Sequence, residues 1–247
     1  MTESKRLVIQ VDRVASLAEA MRFRDAGADL IGVALEADPR FADDRFVAAE
    51  VASSIRDAVG ADRTVAILPD TFSYDDLDAR LDRLLALRPG MVQVTRSGLP
   101  GGYEEAAWDE GARVLVDGVD MGDTYGSVVE DGDPASYLRD RLRSIEAYRP
   151  PFIHVDVAYP NPDPWRFLTE VAPRFPDECL QVAHVAAATR EFPLLLNLAG
   201  LTPDTVVPFV RAFPDARGFF GRLGPPKGGG ATSSPEDLLA VLRVLPQ

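Results

Sequence analysis

Short apolar runs recur along the chain, each closed by turn residues and most followed by an amphipathic stretch. The runs are Leu7–Asp12, Leu30–Leu35, Thr64–Leu68, Met91–Thr95, Arg113–Asp117, Phe152–Asp156, Leu194–Leu198 and Gly218–Gly221. They are rich in Val, Ile and Leu, the signature of strands buried on both faces of a parallel sheet. Helical spacing fills the gaps. Ser16–Asp25 carries Leu17, Ala20, Met21 and Arg24 on one side, and Asp44–Val59 carries Phe46, Val47, Val51 and Ile55. Ser73 is placed to cap a helix over Tyr74–Leu87, with Asp75 and Asp76 at its positive end. Thr202–Pro203 and Ser234–Pro235–Glu236 each set a capping side chain before a proline, a helix-start signal.

Eight strands in alternation with helices predict an α/β fold, a single (βα)8 TIM barrel over 1–247. An open doubly wound sheet competes. When it binds dinucleotides, such a sheet carries a glycine-rich turn after its first strand. Here Val11–Asp12–Arg13–Val14–Ala15 contains no glycine. Two connections are long: an acidic, glycine-rich one from Gly118 to Asp133, and LGPPKGGGATS from Leu223 to Ser233. Both follow strands, so both fall on the face where barrels hold active sites.

Composition narrows the partners. The 247 residues carry a net charge of −13, with no cluster of Lys and Arg to track a nucleic-acid backbone or an anionic membrane. No run of 18 apolar residues is present, and the start of the chain lacks a signal-peptide core. A cytoplasmic location is expected, with a small-molecule substrate, no nucleic acid, no membrane, and a monomer or homodimer. The lone cysteine, Cys179, allows no intramolecular disulfide and reads as helix packing. With only two histidines, no metal site is expected. His184 lies in a helical stretch and reads as structural.

In a barrel, chemistry comes from the last residues of each strand. That rule selects Asp12, Arg40, Asp70, Gln93, Thr95, Arg96, Asp117, His154, Asp156, Asn197 and Arg222. Asp12 and Asp156 close matching runs, LVIQVD and PFIHVD. Two carboxylates facing one pocket can divide acid and base roles when their surroundings differ. A strand-ending Asp can equally cap the following loop. Residues two apart share a face, so Gln10 points with Asp12, and His154 with Asp156 one layer deeper. Arg40, Arg96, Arg222 and Lys227 share one rim and could form a local anion site. Gly228–Gly230 could add backbone N–H donors.

Several segments resemble phosphoribosylanthranilate isomerase, a tryptophan-pathway barrel that performs an Amadori rearrangement. SLAEAMRFRDAGADLIGVALEADPRF is similar to that family's run from strand 1 to the Ser-Pro-Arg after strand 2, with Asp38–Pro39–Arg40 at the tripeptide. MVQV is similar to its strand-4 VVQLHG, keeping Gln93, with Thr95 and Arg96 for His and Gly. FIHVD places Asp156 at the family's general acid. NLAGLTPDTV, with Asn197 and Gly200, is similar to the LAGGLNPENV phosphate loop. The resemblance implies a cofactor-independent isomerase.

Departures accompany it. Asp12 stands where the family has its general-base cysteine, and Gln10 where it has a lysine. A related barrel of the histidine pathway performs the same rearrangement with an Asp–Asp pair. Phe219–Phe220–Gly221 replaces the Ser-Ser-Gly phosphate element of strand 8, and Pro160–Asn161–Pro162–Asp163–Pro164 replaces a Gly-Gly-Thr-Gly stretch. The expectation is an isomerase-like barrel enzyme acting on a small anionic substrate. Asp156 would be the acid, Asp12 the base and Arg40 the anchor for a carboxylate. The chemistry could be repurposed for specialised metabolism. Gln10, Gln93, Arg96, His154, Asn197, Gly200, Gly221 and Arg222 complete the expected binding set. Two alternatives stand: a cyclase or lyase on a non-phosphorylated carbonyl or imine compound, and a non-catalytic barrel binding a small molecule or a partner.

Overall fold

The computed structural model describes residues 7–69, 76–95, 107–120, 133–146, 149–158, 161–227, 231 and 233–245. Its strands are β1 (Val8–Asp12), β2 (Leu30–Ala34), β3 (Thr64–Leu68), β4 (Met91–Thr95), β5 (Arg113–Asp120), β6 (Ile153–Asp156), β7 (Leu194–Asn197) and β8 (Gly218–Arg222). All pair in parallel with their sequence neighbours, and β8 returns to β1 to close the barrel. The described helices of eight or more residues are α1 (Leu17–Asp25), α2 (Ala49–Val59), α3 (Leu77–Leu85), α4 (Pro134–Glu146), α5 (Val182–Glu191), α6 (Pro203–Ala212) and α7 (Pro235–Leu242). A broken helical stretch from Pro164 to Arg174 precedes α5. The chain is a single (βα)8 barrel.

Capping chemistry explains where several helices begin. The Ser16 hydroxyl accepts from the Glu19 N–H, while a Glu19 carboxylate oxygen accepts from the Ala15 N–H, at 3.2 and 2.8 Å. Thr202 caps α6 and Ser234 caps α7, each with proline in the first turn. The outward side chains of the strands, such as Val11, Val33, Val94, Val116, Val155, Leu196 and Phe219, pack beneath the helices in one apolar layer.

Two helices start later than the periodicity suggests. The helix expected from Asp44 begins at Ala49. Residues 44–48 form an irregular connection instead: the Phe46 N–H donates to the Asp44 carbonyl and the Val47 N–H to the Ala34 carbonyl, both at 2.9 Å, and Asp43 is gripped by Arg13. Val47 is buried by that tie, while Phe46 stays 44% exposed. The helix expected over Tyr74–Leu87 is observed over Leu77–Leu85, after a left-handed Asp76 with no side-chain cap. Ser73 and Asp75 lie outside the described residues. In the other direction, β5 continues past Asp117 to Asp120, with a register shift between Val116 and Val119.

The loops after β2 and β8 are joined over the barrel mouth. Phe41 bridges Pro226, the Ala42 N–H donates to the Pro225 carbonyl, and the Lys227 N–H donates to the Arg40 carbonyl. Arg13, the residue after β1, staples this pair from below. Its guanidinium donates to the Leu223 carbonyl at 2.5 Å and to the Asp43 carboxylate at 2.8 Å, and lies 3.7 Å from the Phe41 ring centroid. Replacing Arg13 with Met should raise hydrogen exchange at the Ala42 and Lys227 amides together. Stranding these acceptors should also lower stability by about 1–3 kcal/mol. Unchanged protection at both amides would remove Arg13 from this role.

Candidate functional site

The barrel interior is unusually polar at its centre. Branched apolar residues usually fill this space. Here Gln10, Asp12, Gln93, Asp117 and His154 point inward, and none is more than 1% exposed. Gln10 Nε2 donates to Asp12 Oδ1 and to Gln93 Oε1, both at 2.7 Å. Gln93 Nε2 donates to Asp12 Oδ2 at 2.9 Å. Two amides on facing strands thus fix both oxygens of Asp12. Gly32 makes room for this carboxylate, since a Cβ there would lie 2.3 Å from Asp12 Oδ1.

His154 stacks flat on Phe220, with ring centroids 4.0 Å apart and planes within 5°. Its Nδ1 lies 3.8 Å from Asp12 Oδ2 and 3.6 Å from Asp117 Oδ1, too far for direct hydrogen bonds.

Asp117 ties the interior to the rim. One oxygen pairs with the Arg222 guanidinium and the other with Arg40 Nη1 at 3.2 Å. Burial alone would raise this carboxyl, but Arg222 and Arg40 override it and hold it well below the usual carboxylate range. Arg40 is also forked onto Asp38, with Nη2 2.7 Å and Nε 3.0 Å from its oxygens. Burial works against the Arg40 charge, yet Asp117 and Asp38 push its guanidinium above the ordinary arginine value. Arg40 therefore spends its fork on protein carboxylates.

Above β6–β8 the mouth opens into a pocket walled by Asp156, Asn161, Asn197 and Arg222 on its polar side. Phe41, Ala199, Pro226 and Ala231 form most of its apolar side. The Asn197 amide orients Asp156: Nδ2 donates to Asp156 Oδ2 at 2.5 Å, while Oδ1 accepts from the Ala199 N–H at 3.0 Å. Arg222 is held from beneath by the Phe220 ring, 4.8 Å from its guanidinium carbon.

The structure thus brings Asp156, Asn197 and Arg222 to one pocket. It places Gln10, Asp12, Gln93 and His154 in the buried network beneath the rim. Gly200 and Gly221 lie to one side, near α6 and α7. A Cβ at Gly200, whose φ is +73°, would meet Ala231 and the Pro162 carbonyl at 2.7 Å. A Cβ at Gly221 would meet the Leu238 side chain at 2.7 Å. A second cavity beside them is lined by Gly200, Thr202, Ser233 and Asp237 among others, with no Lys or Arg among the described residues. Arg96, Asp70 and Gly228–Gly230 lie outside the described residues, as does the Thr95 side chain. Among the described residues, no group of three metal-ligating side chains occurs, and no helix is long and apolar enough to cross a membrane.

Sequence reasoning passed over Asp38, Asn161 and Arg13 as site residues. Asp38 was legible as part of Asp38–Pro39–Arg40. Asn161 sits in a proline-rich loop with no periodic signal, and only barrel closure brings it to the mouth.

These features define a (βα)8 barrel with a small, mixed polar and apolar pocket at the C-terminal ends of its strands. No family model matches the chain, and no curated protein matches it in sequence. Solved structures match its fold along nearly its whole length. Phosphoribosyl anthranilate isomerase from Thermococcus kodakaraensis has a TM-score of 0.63 and 17% identity, covering 97% of this chain and 98% of that chain. The N-(5'-phosphoribosyl)anthranilate isomerase from Pyrococcus furiosus has 0.62 and 15%, with the same coverage. A phospho-2-dehydro-3-deoxyheptonate aldolase from Thermotoga maritima reaches 0.55 and 14%, covering 98% of this chain and 68% of that chain. The fold is therefore that of the phosphoribosylanthranilate isomerases. Since the same barrel also serves an aldolase, activity has to be argued from the site.

Proposed function

We propose that this barrel is an isomerase-like acid–base enzyme acting on a small, carbonyl-bearing anion. The observation that carries the reading is the Asp156 carboxylate, oriented by Asn197 and facing a pocket it shares with Arg222. A carboxyl group held in one geometry at a pocket wall is suited to passing a proton to and from a bound substrate. In an Amadori-type sequence, Asp156 protonates the ring oxygen of an aminoaldose, and the C–O bond opens to a Schiff base. A base then removes the C2 proton to give an enolamine, which tautomerises to the aminoketose. Asp12 is the base expected from the sequence, but it is 1% exposed, does not line the pocket and has both oxygens held by Gln10 and Gln93, so it would reach the C2 proton only if that network opened. No cofactor is needed for these steps. One phosphoribosyl anthranilate isomerase of this fold was solved with reduced 1-(o-carboxyphenylamino)-1-deoxyribulose 5-phosphate, which supports a compound of that general kind.

A specific observation favours a second reading, in which the same carboxylates drive a cyclisation, dehydration or imine step on a compound without phosphate. In barrels, phosphate usually sits between the loops after strands 7 and 8 and a helix N-terminus. Here that region holds Asp237, the packed Gly200 and Gly221, and, among the described residues, no cation in its cavity lining.

Complementation of a strain lacking the tryptophan-pathway isomerase separates the two, since rescue requires the phosphorylated substrate. For either reaction, Asp156→Asn should lower kcat by about 10²–10⁴-fold with little change in melting temperature. Asp12→Asn should also lose turnover. It should lose about 1–3 kcal/mol of stability as well, because the new amide N–H2 faces one of the two glutamine donors that the carboxylate oxygens satisfied. Full turnover in Asp156→Asn would remove it from the mechanism.

A further inference from the structure

We infer that the cavity between α7 and the connection from β7 to α6 is a second binding site, one that takes a small primary ammonium ion carrying an apolar body. The inference does not rest on the reaction assigned to the Asp156 pocket, with which this cavity shares no lining residue.

Size and lining set the body of the ligand. The cavity has a volume of about 220 Å³, against about 30 Å³ at Asp156. An apolar cavity of about 150 Å³ already holds benzene. Leu198, Leu201 and Pro203 wall it from the β7–α6 connection, and Leu238, Ala240 and Val241 wall it from α7. A ring or a short alkyl chain fits such a wall.

Two polar side chains in the lining remain available. Ser233 is only 5% exposed and lines the cavity. Its hydroxyl has no hydrogen-bond partner among the described residues, yet it is not sealed from solvent. Buried hydroxyls nearly always find a partner, so this one calls for a bound group. Asp237 is exposed and lines the same cavity. Its Oδ2 accepts from the Ser234 hydroxyl at 2.7 Å, which holds the carboxylate in place and leaves Oδ1 as an acceptor. The Thr202 hydroxyl, by contrast, is spent on capping α6.

Charge selects a cation over an anion. Among the described residues no Lys or Arg lines the cavity. The helix N-termini beside it, which would draw an anion, are already served. Both α6 and α7 begin with proline, which has no N–H to offer. The Thr205 N–H donates to the Thr202 hydroxyl and the Asp237 N–H to the Ser234 hydroxyl. Asp204, Glu236 and Asp237 supply the negative charge that the two helix dipoles favour. Arg22 of α1 pairs with Glu236 at 3.3 Å, whereas Asp237 forms no ion pair among the described residues. An ammonium group brings the missing charge and three donors, enough for Asp237 Oδ1, the Ser233 oxygen and solvent. The net charge of −13 further draws cations to the surface.

The test is titration of the whole protein at low ionic strength with benzylammonium, benzyl alcohol, benzoate and inorganic phosphate, followed calorimetrically and by NMR of the Gly200 and Ser233 amide signals. Benzylammonium should bind about threefold more tightly than benzyl alcohol, the scale of an ion pair open to solvent, and both anions more weakly than either. Added salt should shrink that preference. Asp237→Asn should abolish it, since the amide oxygen can still accept from Ser234 but carries no charge. Ser233→Ala should weaken the amine and the alcohol together and leave the melting temperature unchanged. Ala240→Leu, which fills the cavity from an exposed turn of α7, should block both. Tighter binding of phosphate or benzoate than of benzylammonium would overturn the inference. So would an amine preference that survives Asp237→Asn, amide shifts confined to the Asp156 pocket, or no binding of the amine at all.

Discussion

Replacing Asp117 with Asn should lower the unfolding free energy at pH 7 by about 3–5 kcal/mol, the usual cost of removing one partner from a buried ion pair. Asp117 is fully buried and is the carboxylate that Arg40 and Arg222 share. Without its charge, Arg40 keeps Asp38, but Arg222 loses its ionic partner among the described residues. The effect should depend on pH with a definite sign. In the folded protein this carboxyl sits below its ordinary value of 3.8. Its contribution is therefore complete above the unfolded-state value and is lost as pH falls from about 5 toward the lower folded-state value. Urea midpoints should show a wide gap between wild type and Asp117→Asn at pH 7 and a narrower one at pH 3. A constant gap would mean that Asp117 acts through its shape and not its charge.

Asp117 also shows what kind of information the sequence carries. All eight strands were legible because a parallel strand buried on both faces is a short apolar run, whatever its partners. The polar interruptions Gln10 and His154 were legible as inward positions, since period-two alternation puts them beside Asp12 and Asp156, and Gln93 was legible from its place near the end of β4. The strand-end rule found Asp117 too, but nothing local distinguished its role from those of Asp12 and Asp156. Asp117 became a hub because the chain returns Arg40 and Arg222, 77 and 105 residues away, to the same point. Likewise, the apolar spacing of Phe46, Val47, Val51 and Ile55 fits a helix from Asp44. The real start at Ala49 is set by Arg13 gripping Asp43, a contact 30 residues long in sequence. Local pattern encodes the elements, while closure of the barrel decides which polar residues meet.

Gly218→Ala should cost about 3 kcal/mol or more, at the upper end of what overpacking usually does. Gly218 opens β8 and pairs with Val8, the first residue of β1, where the barrel closes. A Cβ there would lie 1.8 Å from the Val8 carbonyl oxygen, with the Val8 carbonyl carbon and nitrogen at 2.6 and 2.7 Å. All three atoms are backbone, so no rotamer change relieves the contact. β1 must move away from β8, against a register that runs from Val8↔Gly218 to Asp12↔Arg222. That movement carries Asp12 and Arg222, so the damage should reach the mouth. Gly221→Ala, three residues along the same strand, is the matched control. Its Cβ would meet only carbons of the Leu238 side chain, the nearest at 2.7 Å, and a side chain can turn aside. Denaturant midpoints should therefore fall much further for Gly218→Ala than for Gly221→Ala. Equal losses would show that the closing seam is soft enough to absorb a methyl group. In that case the position of Asp12 relative to Arg222 would owe more to the Gln10 and Gln93 amides than to strand register.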